Sequence, residues 1–155
     1  MPIKQLTPMQ AVEGNLREQL ARREKVLMNI FFYVGEAGLS AARVNGSYTD
    51  RTGNLRSSTG YVVVKDGNIV HVSSFAQVPA REVHEGDVYN GAEEGREFAL
   101  KIIREFPEGI NLVEVAGMRY AGYVSARGYD VLDSGEDLVR RLFLQLLRQH
   151  GFILK

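Results

Sequence analysis

Thr59-Gly60-Tyr61-Val62-Val63-Val64-Lys65 and Ile69-Val70-His71-Val72-Ser73, joined by Asp66-Gly67-Asn68, decide what kind of fold this chain adopts. Val, Ile, Thr and Tyr suit a pleated, half-buried surface. Gly and Asn tolerate the positive φ that a tight turn requires, so the stretch predicts a β-hairpin. On both sides of it the apolar residues recur at three- and four-residue steps, the period of helices. The chain must therefore combine a hairpin with helices.

Upstream, Thr7-Pro8-Met9-Gln10 reads as a helix start, with Thr7 as cap, Pro8 in the first turn and Gln10 completing a capping box. Val12, Leu16, Leu20, Leu27, Phe31, Val34, Gly38 and Ala41 then form one apolar stripe, while Glu13, Arg17, Glu18, Arg22 and Lys25 occupy the other face. A continuous helix from Pro8 to about Arg43 would be roughly 54 Å long, longer than a compact domain of this size is wide. It must break or overhang. Gly35 and Gly38 are the weak points, each costing about 1 kcal/mol relative to Ala in a helix interior. An overhanging helix is expected to pack on a neighbour. Asn45-Gly46-Ser47 ends the helix, and 47–54 reads as an exposed loop.

Downstream, Phe75 to Tyr89 has no apolar period and exceeds the usual connection length, as functional loops do. Asn90-Gly91-Ala92-Glu93 is a capping box that opens a helix bearing Phe98, Ala99, Ile102, Ile103 and Phe106, and Pro107 and Gly109 stop it. Ile110 to Ala116 and Arg119 to Ala126 alternate as two further strands, with Gly117-Met118 at the turn. Ser134-Gly135-Glu136-Asp137 caps a last helix that buries Leu138, Leu142, Leu146 and Leu147. The expected fold class is α+β in a single domain over 1–155. It has a long N-terminal helix, an antiparallel sheet of about four strands in two hairpins, and two further helices.

Of the 155 residues, 45% are hydrophobic and 25% charged, a globular balance with enough chain for one core. Nineteen Lys and Arg offset nineteen Asp and Glu, so no overall field draws the protein to nucleic acid or an anionic membrane. Zero Cys excludes disulfides, thiolate metal sites and a Cys nucleophile. The charged first thirty residues do not read as a secretory signal, and the longest apolar run, Ile30 to Val34, is far short of the ~20 residues a membrane span needs.

Catalytic patterns are equally sparse. His71, His84 and His150 lack metal-ligand spacing. Ser57, Ser58, Ser73 and Ser74 lie in no Gly-x-Ser-x-Gly elbow and read as turn or strand-edge residues. Asp130 and Asp133 fit a loop leading into a capped helix better than a hydrolase that would also need His84. No phosphate-cradling glycine motif follows a strand. Neither enzymatic activity nor a cofactor is expected.

Arg51, Arg56, Arg119 and Arg127 are interleaved with Tyr48, Tyr61, Tyr120, Tyr123 and Tyr129. Arg and Tyr together suit either a protein interface or single-stranded nucleic acid. Zero net charge favours the interface, with a small single-stranded nucleic-acid-binding protein as the alternative. As a strand, the segment would put Tyr120, Gly122 and Val124 on one face and Ala121 and Tyr123 on the other.

Two segments, Asp50-Arg51-Thr52-Gly53-Asn54-Leu55-Arg56-Ser57-Ser58 and Gly117-Met118-Arg119-Tyr120-Ala121-Gly122-Tyr123-Val124, together resemble the minor tail-component, or head-tail connector and tail-completion, family of tailed bacteriophages and prophages. The family pairs a long N-terminal helix with a Thr-Gly-Asn-Leu-Arg motif and a later Tyr-Ala-x-Tyr-Val strand. It often continues with an acidic residue and Gly-Thr, where this chain has Ser125-Ala126-Arg127-Gly128-Tyr129. The resemblance implies a virion structural protein in a homo-oligomeric ring, synthesised in the bacterial host cytoplasm. Its partners would be portal, adaptor or tail-tube proteins, with only weak contact to DNA passing through the lumen and none with membrane. Arg51, Thr52, Gly53, Asn54, Arg56, Arg119, Tyr120 and Tyr123 are the implied interface residues. In physical terms, Gly53 would take positive φ in a tight turn, Asn54 would bond nearby backbone, Leu55 would anchor a strand in the core and Arg56 would face out. Tyr123→Ala or Arg56→Glu would then impair assembly and leave the monomer folded.

Overall fold

β1 (Thr59–Lys65) and β2 (Asn68–Val72) pair antiparallel around a turn in which Asp66 and Gly67 take φ of 48° and 76°. β3 (Ile110–Ala116) pairs antiparallel along the other side of β1, which gives a three-stranded sheet in the order β2-β1-β3. These positions come from a computed structural model that describes residues 8–82 and 89–153. Thr7 and His84 lie outside the described residues.

The central strand is buried on both faces. Tyr61 and Val63, beside Leu112 of β3, meet Phe31 and Leu39 of α1 (Met9–Asn45) and Phe143 of α5 (Asp133–Gln149). Val62 and Val64, beside Val113 and Val115, meet Ala99 and Ile102 of α3 (Gly91–Ile102). The fold is thus a sheet between one helix on one face and two on the other, an α+β arrangement. Asn90 caps α3 as its sequence predicts, its side chain accepting from Glu93 N at 3.3 Å. A turn of 3-10 helix (Ile103–Glu105) closes it before Pro107.

α1 runs unbroken through its glycines. Both are places of close approach: the ring of Tyr61 lies where a Gly35 side chain would be, and Glu114 and Val139 fill the space beside Gly38. The helix overhangs instead. α5 runs antiparallel to it, from Gly135 beside Gly38 and Ala42 to the loop after its C-terminus, where Arg23 donates to His150 O at 3.2 Å and lies 5.3 Å from the Phe152 ring. N-terminal to that point residues 8–25 are all exposed, and Val12, Leu16 and Leu20 keep 48%, 59% and 61% of their surface in solvent. At 1.5 Å per residue the uncovered part is about 25 Å long.

Two expectations are corrected. The sheet has three strands, because Arg119 to Ala126 forms no second hairpin. The chain turns at Gly117 and Met118 and enters a short helix, α4 (Ala121–Ala126), so the alternating faces assigned to Tyr120–Val124 do not exist. The cause is packing at helical spacing: Met118, Ala121 and Val124, three residues apart, lie together against Tyr48, Leu55 and Val131. The cap of α5 also differs. Ser134 is not its donor-satisfying side chain; the Asp130 carboxylate accepts from Ser134 N at 3.2 Å, which gives that aspartate a structural role.

Glu114 is the one carboxylate of the sheet that turns toward the α1–α5 layer. Burial first, and the charge of Glu136 second, push its carboxyl up to about 7. A raised carboxyl favours the folded state while protonated, so its contribution is complete below the ordinary value of 4.5 and is lost as pH rises through 7. Glu114→Gln is therefore expected to melt close to the parent at pH 5 and to be about 1–2 kcal/mol more stable at pH 8.5, once partial exposure is discounted. Thermal denaturation at the two pH values checks this; a difference that does not grow with pH would contradict it.

Candidate interface cleft

Gly53 opens the first motif with φ of 74°, which only glycine adopts without strain, and Val78 O lies where its side chain would be. The following residues form α2 (Asn54–Ser57), a single helical turn in place of the expected loop-to-strand passage. This turn is buried, and its polar groups are satisfied from within. Ser57 Oγ donates to Gly53 O at 2.6 Å and accepts from Val78 N at 2.8 Å. Ser58 Oγ donates to Leu55 O at 2.8 Å and accepts from Met118 N at 3.3 Å. Asn54 Oδ1 accepts from Gly91 N at 3.2 Å, tying the turn to the start of α3. Backbone of Asn54 and Ser58 also occupies the space beside Gly91 and Gly95, so these two glycines let α3 lie flush on the turn. Ser57 and Ser58 are structural hydroxyls, as is Ser73, whose Oγ accepts from Tyr61 N at 2.8 Å.

Arg56 does not face out. Its Nε donates to Arg43 O at 3.1 Å and its Nη2 to Gly46 O at 3.2 Å, while its guanidinium lies 5.0 Å from the Tyr48 ring centre. A cation there satisfies the free carbonyls at the C-terminus of α1 and complements the helix dipole. Its own N–H donates to Asp50 Oδ2 at 2.9 Å. Arg43 completes this bracket by donating to Thr59 O at 2.7 Å, and burial lowers its pKa against the opposing charge of Glu36. Leu55 is buried as expected, although it anchors a helical turn and not a strand.

The two motif segments meet beside this bracket. Arg51, Thr52 and Asn54 from the first and Tyr120 and Val124 from the second line a cleft of about 350 Å³, with Tyr48, Tyr89 and Met118. A second hollow of about 260 Å³ adjoins it, sharing Tyr89, Met118 and Tyr120 and adding Glu94 and Arg119. Tyr48 lies in the wall of the first with its hydroxyl buried and unpartnered; burial raises that hydroxyl to about 12, against the lowering effect of Arg56. On the outer side of α4, Tyr123 is 60% exposed, and the Arg127 guanidinium stacks 4.7 Å from its ring centre.

Of the eight implied interface residues, Arg51, Thr52, Arg119 and Tyr120 line the two adjoining hollows, Thr52 half-buried and the others exposed, and Tyr123 is exposed on α4 outside them. Gly53 and Asn54 are buried inside the chain, and Arg56 is turned inward. Tyr61 belongs to the core, its hydroxyl donating to Glu36 Oε1 at 2.9 Å. Tyr89 and Met118 line the cleft without having been singled out. For Met118 the signal was present, as the first member of its three-residue apolar step; for Tyr89, at the end of the long loop, no sequence pattern gave one. Among the described residues no cluster of His, Asp and Glu could hold a metal ion. His71 is stacked beside Phe32 and Tyr61 at 5.1 and 5.5 Å. The cleft offers aromatic faces, guanidinium groups and a hydroxyl, the chemistry of recognition.

The chain matches no family model, no curated protein and no solved structure.

The geometry separates bracket from surface. Arg56→Ala removes two charged hydrogen bonds and a ring contact and is expected to lower unfolding free energy by about 1.5–3 kcal/mol. Tyr123→Ala, on an exposed helix face, is expected to change it by about 0.5 kcal/mol or less. Urea denaturation of both variants measures the contrast; equal losses would contradict the assignment of Arg56 to the fold and Tyr123 to the surface.

Proposed function

We propose that this chain is a non-catalytic structural subunit of the head-tail junction of a tailed phage, a neck, connector or tail-completion protein that assembles as a homo-oligomeric ring. The observation that carries the reading is the placement of two unlike contact surfaces at opposite ends of one rigid helix. At the N-terminal end of α1, Met9, Val12, Leu16 and Leu20 present an uncovered apolar stripe. At the C-terminal end, about 55 Å away along the 37-residue helix, lies the Tyr–Arg cleft. Two different surfaces on one subunit favour a head-to-tail contact, which closes into a ring when its rotation permits, whereas a two-fold dimer needs one surface that fits itself.

The phage assignment draws on the resemblance of the two segments and on their convergence at that cleft. Buried members of the first motif hold the cleft wall in place while Arg51, Tyr120 and Tyr123 reach solvent, a division of labour suited to a contact surface. In this reading portal, adaptor or tail-tube proteins cover the ring's two faces. The virion is its location, and lumen DNA touches it weakly and without sequence preference. No helix among the described residues is long and apolar enough to cross a membrane. A second reading, single-stranded nucleic-acid binding, is favoured by the exposure of Tyr120, Tyr123 and Tyr129 near Arg119 and Arg127.

Light scattering over a range of protein concentrations tests the proposal, with portal and tail proteins of a tailed phage added in a second series. Expected is a closed oligomer of fixed mass, alone or on a partner, lost both in Leu16→Glu/Leu20→Glu and in Tyr120→Ala/Tyr123→Ala while each variant remains folded. A monomer indifferent to those partners would overturn it. Affinity for oligo-dT that falls steeply with salt would then favour the second reading.

A further inference from the structure

The two outer edges of the sheet differ. β2 carries an irregularity in register between Val63 and Val64 of its partner, which leaves Val70 as an extra residue and twists that edge away from further pairing. β3 is regular from Ile110 to Ala116, and among the described residues no strand pairs with its far side. Beside it, between the strand and α5, runs a groove of about 500 Å³. Ile110, Leu112 and Glu114 alternate along the groove face of β3, and Val139 and Phe143 of α5 form the opposite wall.

The groove has an imbalance of charge. Glu114 Oε1 is buried without a hydrogen-bond partner. Glu136 stands close enough for its charge to act on Glu114, and the guanidinium of Arg140 is engaged with Glu136 at 2.6 Å. Among the described residues, the groove's one lining cation is thus bound to the outer of its two carboxylates. An open strand edge next to a helix-walled apolar groove is the setting for strand addition, in which main-chain hydrogen bonds supply affinity and alternate side chains supply specificity.

We propose that this groove receives an extended segment of a partner protein, which adds to β3 as a fourth strand and sets a lysine or arginine opposite Glu114. Side chains on one face of a strand lie two residues apart, so for a strand running parallel to β3 the recognised pattern is an apolar residue opposite Leu112, one intervening residue, then the cation. The groove is separate from the α1 stripe and from the Tyr–Arg cleft, and its occupancy does not require the ring.

Fluorescence anisotropy with the capped, fluorescein-labelled peptide Thr-Ile-Thr-Ile-Thr-Lys-Thr tests this. Saturable binding is expected, at least about tenfold weaker when glutamate replaces the lysine, and the lysine preference should shrink to about twofold in Glu114→Gln. Proline in place of the threonine between the second isoleucine and the lysine, which removes a backbone donor and disfavours the extended ladder, should abolish binding. No saturable binding, equal affinity for the lysine and glutamate peptides, or a preference that survives Glu114→Gln would each overturn the proposal. So would peptide binding that lowers the mass of an oligomer of this chain, because a second copy would then be the occupant.

Discussion

The buried helical turn that begins at Gly53 is the constraint on which the rest of the structure depends. Backbone groups removed from water must find partners inside the protein, and a single turn cannot supply them from its own ladder. Ser57, Ser58 and Asn54 do so with side chains, and each bond reaches a different part of the chain: Val78 in the loop after β2, Met118 after β3, Gly91 at the start of α3. The same turn thereby fixes where β1 begins, where β3 must end and where α3 docks. Gly91, Gly95 and Gly117 follow from it, since each sits where another backbone comes too near for a side chain.

Much of this was legible in the amino-acid sequence. The hairpin, the long helix, the cap at Asn90 and the strand Ile110–Ala116 declared themselves through period and turn chemistry, which are local properties, although Pro8 precedes the first turn of α1 and no side chain caps it. The failure at Arg119 to Ala126 has a definite cause. Tyr-Ala-Gly-Tyr-Val satisfies an alternating pattern and a three-residue step equally well, and the arbiter was the cluster of Tyr48, Leu55 and Val131, which takes up Met118, Ala121 and Val124 at helical spacing. Whether α1 would break or overhang could not be read either, because the fate of Gly35 and Gly38 rests on Tyr61, Glu114 and Val139, residues remote in sequence.

The candidate site was legible in composition but not in role. Interleaved Arg and Tyr drew attention to the right segments, and those segments converge. Their members divide according to what surrounds them: the residues from Gly53 to Ser58 mostly hold the fold together, while Arg51, Thr52, Tyr120 and Val124 border the cleft. Arg56 illustrates why residue type alone misleads. An arginine in a turn-rich stretch reads as solvent-facing, yet the unpaired carbonyls at the end of a long helix are among the few places where burying a guanidinium is favourable.

α1 is clamped over only part of its length, between the sheet and α5, with its glycines pressed against Tyr61, Glu114 and Val139. Mechanically this makes the helix a lever whose pivot lies at that clamp and whose long arm is the projection before Val26. A force on the projecting arm would act at the clamp with the leverage of about 25 Å of unsupported helix.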